Sequence, residues 1–200
     1  MNQQLTAIDA RLERLLAQRE IENVIATYCQ AVDRRDWEKL LTCYHADAVD
    51  VHGAFTGPPA EFVEWLKDRH ANVTASMHFI GNIAVEFATD APELARVETY
   101  CISHRTTDAP QDDPYFSGLG VEGELRRTIA CRYVDTFQYR PVSGWRILRR
   151  TVVMEWMRRE PAELYLSIAP DVAISRRDRT DPLYAPLATP PAGEGEKGVA

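Results

Sequence analysis

The stretch SMHFIGNIAVEF, residues 76–87, alternates as a strand does, yet both of its faces are largely apolar. Its even positions set His78 and Asn82 beside Ile80 and Ala84, and its odd positions carry Met77, Phe79, Ile83, Val85 and Phe87. An imidazole and an amide in such a strand are either satisfied core groups or groups that look into a cavity. The chemistry open to them is proton transfer. An imidazole with an ordinary pKa near ~6.5 takes up a proton at neutral pH, and a carboxylate on its other ring nitrogen fixes the tautomer and steadies the imidazolium that forms.

Other residues have the right types for the same site. His52 shares a strand face with Asp50, either as pocket wall or as solvated edge. His104 lies on a face with Tyr100 and Ile102 and is a candidate second base. Strand alternation sends Arg149 to the face opposite Arg146 and Arg150, so Arg149 is the arginine expected to hold an anionic or carbonyl group. Tyr28 lies within the apolar arc of a helical segment, suited to packing or to donating to a departing oxygen. Asp33 lies at the margin of that arc, where a solvated or capping role is the plain reading. His45 and His70 end helices, where the dipole favours them.

These side chains need elements to carry them. Residues 5–44 repeat apolar positions at helical spacing, through Leu5, Ile8, Leu12, Leu15 and Leu16 and then Ile21, Val24, Ile25, Tyr28 and Val32. DRRDW breaks the pattern, and Asp36 is placed to N-cap a short second helix, WEKLLTCY. DAVDVHG reads as a short strand, and GPPAEFVEWLKDRH as a helix opened by proline. After residue 75 come four long β-rich segments, MHFIGNIAVEFA, LARVETYCISHRTT, LRRTIACRYVDTFQYR and GWRILRRTVVMEW. RPVSGW joins the last two as a hairpin. The long polar loop 108–123 has the length of a lid, and residues 186–200 read as a Pro/Gly-rich disordered tail behind a single domain, 1–185. Helices followed by antiparallel strands predict an α+β fold, a cone-shaped curved sheet with the N-terminal helices over its concave face and a small-molecule pocket inside.

Composition narrows the partners. Across 200 residues the net charge is −7, with no basic run, which argues against a nucleic-acid surface. No apolar run reaches the ~18 residues of a membrane span, and the first residues lack the apolar core of a signal peptide. Cys29, Cys43, Cys101 and Cys131 form no CxxC pair, so reduced core thiols and a cytoplasmic home are expected. No zinc-ligand spacing is present. The sheet's second apolar face calls for cover, for which a second subunit is the natural source.

The order YCQAVDRRDW, short helix, DAVDVHG, GPPAEFVEWL, MHFIGN and GWRILRR, roughly residues 15–157, resembles the nuclear transport factor 2 superfamily. Within it the chain is most similar to the SnoaL-like branch, which includes scytalone dehydratase, hexachlorocyclohexane dehydrochlorinase and bile-acid 7α-dehydratase. The resemblance implies an aspartate on the first long helix paired with a histidine on the following strand, here Asp33 and His78, with Asn82 four residues after the histidine. It implies a tyrosine five residues before the aspartate, which Tyr28 supplies, and an arginine four residues after the last strand's tryptophan, which Trp145 and Arg149 match. Where scytalone dehydratase has a tyrosine on its first short strand, this chain offers His52.

The activity so implied is that of a cofactor-free lyase, needing neither metal nor organic cofactor. The Asp33–His78 dyad would abstract a proton and eliminate water, halide or an aldehyde fragment from a small apolar cyclic or aromatic substrate. Tyr28 would act with the dyad, and Asn82, Arg149, His52 and His104 would bind substrate. The branch implies a homotrimer, while dimers occur in the superfamily. Two other readings remain: a ketosteroid-isomerase-like isomerase, which needs a carboxylate base and an oxyanion-binding pair of acids, and a non-catalytic small subunit of a ring-hydroxylating dioxygenase.

Overall fold

The computed structural model describes residues 2–107, 124–162, 168–169 and 171–187, with side chains from residue 8. The expected loop 108–123 and all but the first two residues of the expected tail 186–200 lie outside the described residues. The elements in chain order are α1 (Asn2–Arg34), α2 (Trp37–Leu41), β1 (Tyr44–His52), β2 (Phe55–Gly57), α3 (Pro59–Arg69), β3 (Val73–Phe87), β4 (Leu94–Thr107), β5 (Leu125–Arg140) and β6 (Gly144–Pro161). One curved, unclosed six-stranded sheet runs β2-β1-β6-β5-β4-β3, antiparallel except for the parallel β1–β6 pair. The helices lie against its inner face, as an α+β cone requires. No helix among the described residues is long and apolar enough to cross a membrane.

The break after α1 has a local cause. Arg35 takes a left-handed conformation, φ +53°, and the amides of Arg35 and Asp36 turn back to the carbonyls of Val32 and Ala31 at 3.3 and 2.9 Å. That pairing is a Schellman closure, satisfying carbonyls that a helix end leaves open. Asp36 then N-caps α2 through the amide of Lys39. The expected WEKLLTCY helix is cut to Trp37–Leu41, and Tyr44 and His45 already belong to β1. The three-residue strand β2, unforeseen in the sequence, follows a turn at Gly53, whose φ of +66° favours glycine.

The core joins Ile21, Ile25, Tyr28 and Val32 of α1 to Phe62 and Leu66 of α3 and to inward residues of β4, β5 and β6 such as Val97, Phe137 and Ile147. All four cysteines are free and buried. The N-terminal half of α1 projects beyond this core, leaving Ile8, Leu12, Leu15 and Leu16 exposed.

Of the register shifts in β3 and β6, two decide where the expected site residues face. In β3 the register shifts between Gly81 and Ile83, with Asn82 at φ +48°. Ser76, His78 and Ile80 face in before it, and Ile83, Val85 and Phe87 after it, so Phe79 parts from the odd-numbered stripe and stands exposed outside. In β6 Ile147 pairs with Phe137 but Arg149 pairs with Thr136, which leaves Leu148 as the extra residue. Trp145 and Ile147 face in before it, and Arg150 and Val152 after it. Such insertions sharpen the bend of a strand and help curl the sheet into a cone.

Candidate active site

Asp33 occupies the last turn of α1, where the Schellman closure aims its carboxylate at β3. Its Oδ1 accepts from Ser76 Oγ at 2.7 Å and from His78 Nδ1 at 2.7 Å, and its Oδ2 accepts from the His78 backbone amide at 2.8 Å. Both side chains are nearly removed from solvent, at 6 % exposure for Asp33 and 2 % for His78. Burial opposes the Asp33 charge, but the His78 ring, the Ser76 hydroxyl and the His78 amide outweigh it and hold the carboxyl below its usual range. The carboxylate therefore stays ionised at neutral pH. The Nδ1 contact places the proton of the neutral imidazole on Nδ1, leaving Nε2, on the far side of the ring, as the basic atom.

His78 lines a cavity of ≈300 Å³, at the small end of ligand sites. Trp65 and Leu66 of α3, His52, and Val152, Met154, Trp156 and Met157 of β6 make much of its wall. Ser103, Arg105, Cys131 and Tyr133 complete the sheet side. Ring contacts firm one wall: His52 lies 5.2 Å from Phe62 and 5.8 Å from Trp65, centroid to centroid. Burial, partly countered by Asp50 at 3.5 Å, lowers the His52 pKa, so this ring is neutral at physiological pH.

The remaining candidates are placed differently. Tyr28 does not reach the cavity. It is buried to 1 % exposure behind the sheet's inner layer, its ring covered by the Arg150 guanidinium at 4.1 Å. Tyr133 stands between Tyr28 and the cavity, 5.7 Å from Tyr28, and burial keeps its hydroxyl protonated. Asn82, at the bulge, is exposed and lines an outer groove with Phe79, Tyr100 and Trp156. His104 also faces outward, against Thr128 Oγ1 at 3.1 Å. Arg149 is exposed, and it is Arg150 that turns inward, with Nε and Nη2 on the two oxygens of Asp135 at 2.9 and 2.7 Å. The Leu148 bulge makes that exchange. His52 is the one expected substrate-binding residue that borders the cavity.

Sequence reasoning passed over four residues that shape the site: Ser76, Ser103, Arg105 and Tyr133. Ser76 shares the parity of His78, and odd-numbered alternation along β4 and β5 brings the other three inward, so the signal was present in the strand period. Arg177 was invisible by that route. Its guanidinium donates to the carbonyls of Asp33, Val32 and Val73 at 3.1, 3.2 and 2.7 Å, and lies 2.9 Å from His70 Nδ1. It ties the chain after β6 to the end of α1 that carries Asp33. Arg34 with Asp181 at 3.0 Å, and Asp36 with Tyr184 at 2.9 Å, extend the tie.

Inside a conical sheet, then, a carboxylate and an imidazole meet beside a small cavity. Residues 13–151 match the model of the SnoaL-like domain, and the chain belongs to that family, within the nuclear transport factor 2-like fold. No curated protein matches it. Among solved structures it is similar to hexachlorocyclohexane dehydrochlorinase LinA-type3 from Novosphingobium barchaimii LL02, with TM-score 0.64 and 17 % identity, covering 80 % of this chain and 99 % of that one. LinA Type2 is alike at TM-score 0.64 and 16 % identity, over 81 % and 99 % of the two chains. A scytalone dehydratase-like protein from Novosphingobium aromaticivorans DSM 12444 superposes with TM-score 0.59 at 16 % identity, over 72 % and 88 %. At such identities the likeness is one of fold.

Proposed function

We propose that this protein is a cofactor-independent lyase in which Asp33 and His78 remove a proton from a small apolar cyclic or aromatic substrate. The observation that supports it most is the 2.7 Å contact between Asp33 and the Nδ1 of an imidazole that lines a cavity. His78 Nε2 takes the proton from carbon, the C–H electron pair becomes the new double bond, and the leaving group departs with its own bonding pair. A departing hydroxide recovers the proton from His78 and leaves as water. A departing chloride leaves the proton to pass to solvent. The same base, acting on a hydroxyl proton, releases an aldehyde by carbon–carbon cleavage. Asp33 remains ionised and offsets the imidazolium charge, and Tyr133 replaces Tyr28 as the hydroxyl donor on the cavity wall. General base catalysis of this kind contributes ~10²- to 10⁴-fold.

The isomerase reading loses support because, among the described residues, Glu155 is the single carboxylate of the cavity lining, and Arg132 Nε holds it at 2.6 Å. The non-catalytic reading predicts a filled cone or a separated dyad. Exposed Phe79, Tyr100, Ile102 and Trp156 on the outer face support assembly through that face, as a homotrimer by family likeness and otherwise as a dimer. Free cysteines suit a reducing, cytoplasmic setting. Screening aromatic and alicyclic alcohols and chlorides for loss of water or HCl, with His78→Ala and Asp33→Asn alongside, tests the reading. Activity lost in both variants, with each still cooperatively folded at the assay temperature, is expected. Undiminished turnover by either one overturns the dyad.

A further inference from the structure

One end of the cavity carries a positive charge that nothing in the dyad's chemistry uses. Arg105 sits on β4 across from Ser76, while Ser103 is across from His78. A diagonal neighbour on adjacent strands has its Cβ ~7–8 Å away, so Arg105 follows His78 along the same wall. Its Nε is buried and has no hydrogen-bond partner among the described residues. A buried donor left in that state costs free energy, which a bound acceptor recovers.

Among the described residues the cavity lining offers it no free anion. Glu155, at the cavity's edge, is engaged by Arg132. Asp33 is saturated by Ser76 and by His78. Arg105 instead stands among groups of its own sign. Burial is the first cause that pushes down the pKa of His70 and brings that of Arg177 to about 9, and the Arg105 charge adds to both. Trp65, Val152, Met154 and Met157 give the lining flat or pliable apolar surface, and the second arginine there, Arg69, lies over the Trp65 ring at 4.8 Å. A cationic donor at one end of an aromatic and thioether slot is the complement of an aryl-substituted carboxylate.

We propose that Arg105 receives the carboxylate of the substrate, and that the substrate class is small aryl-substituted carboxylic acids whose acidic C–H adjoins that carboxylate. This rests on the lyase reading, keeps the aromatic body of its substrate and adds a charged anchor to it. With the carboxylate on Arg105, the α-carbon falls between the guanidinium and His78. As His78 takes the α-proton, the electron pair left on carbon spreads into the carboxylate, where the guanidinium stabilises it. It then forms the α,β double bond as the β-substituent leaves with its bonding pair, carrying the proton away as water when the substituent is hydroxyl.

Binding tests the assignment without turnover. The probes are trans-cinnamate and trans-cinnamamide, equal in shape and different in charge, titrated by calorimetry against wild type, Arg105→Met, Arg105→Lys and Asp33→Asn. Wild type is expected to prefer the acid by about 10- to 100-fold, the range of a hydrogen bond to a charged group. Arg105→Met loses the preference, Arg105→Lys keeps part of it, and Asp33→Asn keeps it. Should Arg105→Met not fold, raising the salt on wild type must shrink the acid's advantage and leave amide binding unchanged. Equal binding of the two probes by wild type, no binding of either, or a preference that survives Arg105→Met overturns the proposal. A preference for the acid together with normal turnover by Asp33→Asn keeps the carboxylate site and removes the dyad instead.

Discussion

Two buried carboxylates inside this cone each meet a nitrogen base, and the two pairs differ in access. Arg150 and Asp135 are both fully buried, joined by two parallel hydrogen bonds, with the guanidinium 4.1 and 4.2 Å from the rings of Tyr28 and Tyr133. Nothing can reach that pair, and an arginine does not give up its proton. Asp33 and His78 are nearly as buried, but the imidazole borders a cavity, and a neutral imidazole, unlike a guanidinium, has a nitrogen free to take up a proton. The cone thus holds one pair sealed in its core and one whose imidazole meets a cavity. Access and a titratable partner, not burial, separate them.

The comparison breaks most visibly at Arg150. Arg150→Met strands Asp135 in the core, and loss of one partner of a buried pair costs ~3–5 kcal/mol. Urea denaturation should show that loss, and a second change, Asp135→Leu, should restore much of it by removing the orphaned charge. A stability unchanged by Arg150→Met would mean the pair does not fasten the cone.

The strap comes next. Arg177→Ala removes donors from the carbonyls of Val32, Asp33 and Val73, at ~1.5–3 kcal/mol by the usual worth of charged hydrogen bonds. Thermal melting should fall, and amide exchange should quicken at the end of α1. Arg177→Lys, which keeps the charge but not the fork, should recover only part of the loss.

Acid titration sharpens the contrast at a smaller scale. The folded state holds the Asp33 carboxyl below its usual value. The stability this contributes is complete above the unfolded pKa of ~3.9 and is lost as pH falls through the lower folded value. Asp33→Asn should be less stable than wild type at neutral pH, and the gap should close on acidification below about pH 4. A gap independent of pH would show that Asp33 is not held as an anion.

The smallest effect belongs to the bulge. Asn82 at φ +48° should tolerate glycine with little change in melting, whereas Asn82→Val should cost ~1–2 kcal/mol, the penalty of a left-handed β-branched residue. Equal melting for both would mean that the β3 bulge is not held in this conformation.

These two bulges also mark where the sequence stops being readable. Alternation alone brings His78 and Ser76 inward and, along β4 and β5, Ser103, Arg105 and Tyr133. It fails at Asn82 and at Arg149, because each lies past or at an inserted residue that reverses the phase of the strand, and the insertion is set by sheet curvature rather than by local residue preference. The helices were legible from spacing, the α2 cap from Asp36, and the cone from element order together with the family likeness. Asp33 was legible only through that likeness, since a helical wheel places it at a margin. Arg177 acts from well over a hundred positions downstream, through backbone carbonyls that carry no sequence signal.

The most direct measurement is the rate at which His78→Ala turns over the best substrate found among the aromatic and alicyclic alcohols and chlorides. A fall of ~10²-fold or more, with the variant still folded at the assay temperature, is the predicted result. Turnover at the wild-type rate would contradict the assignment of His78 as the base.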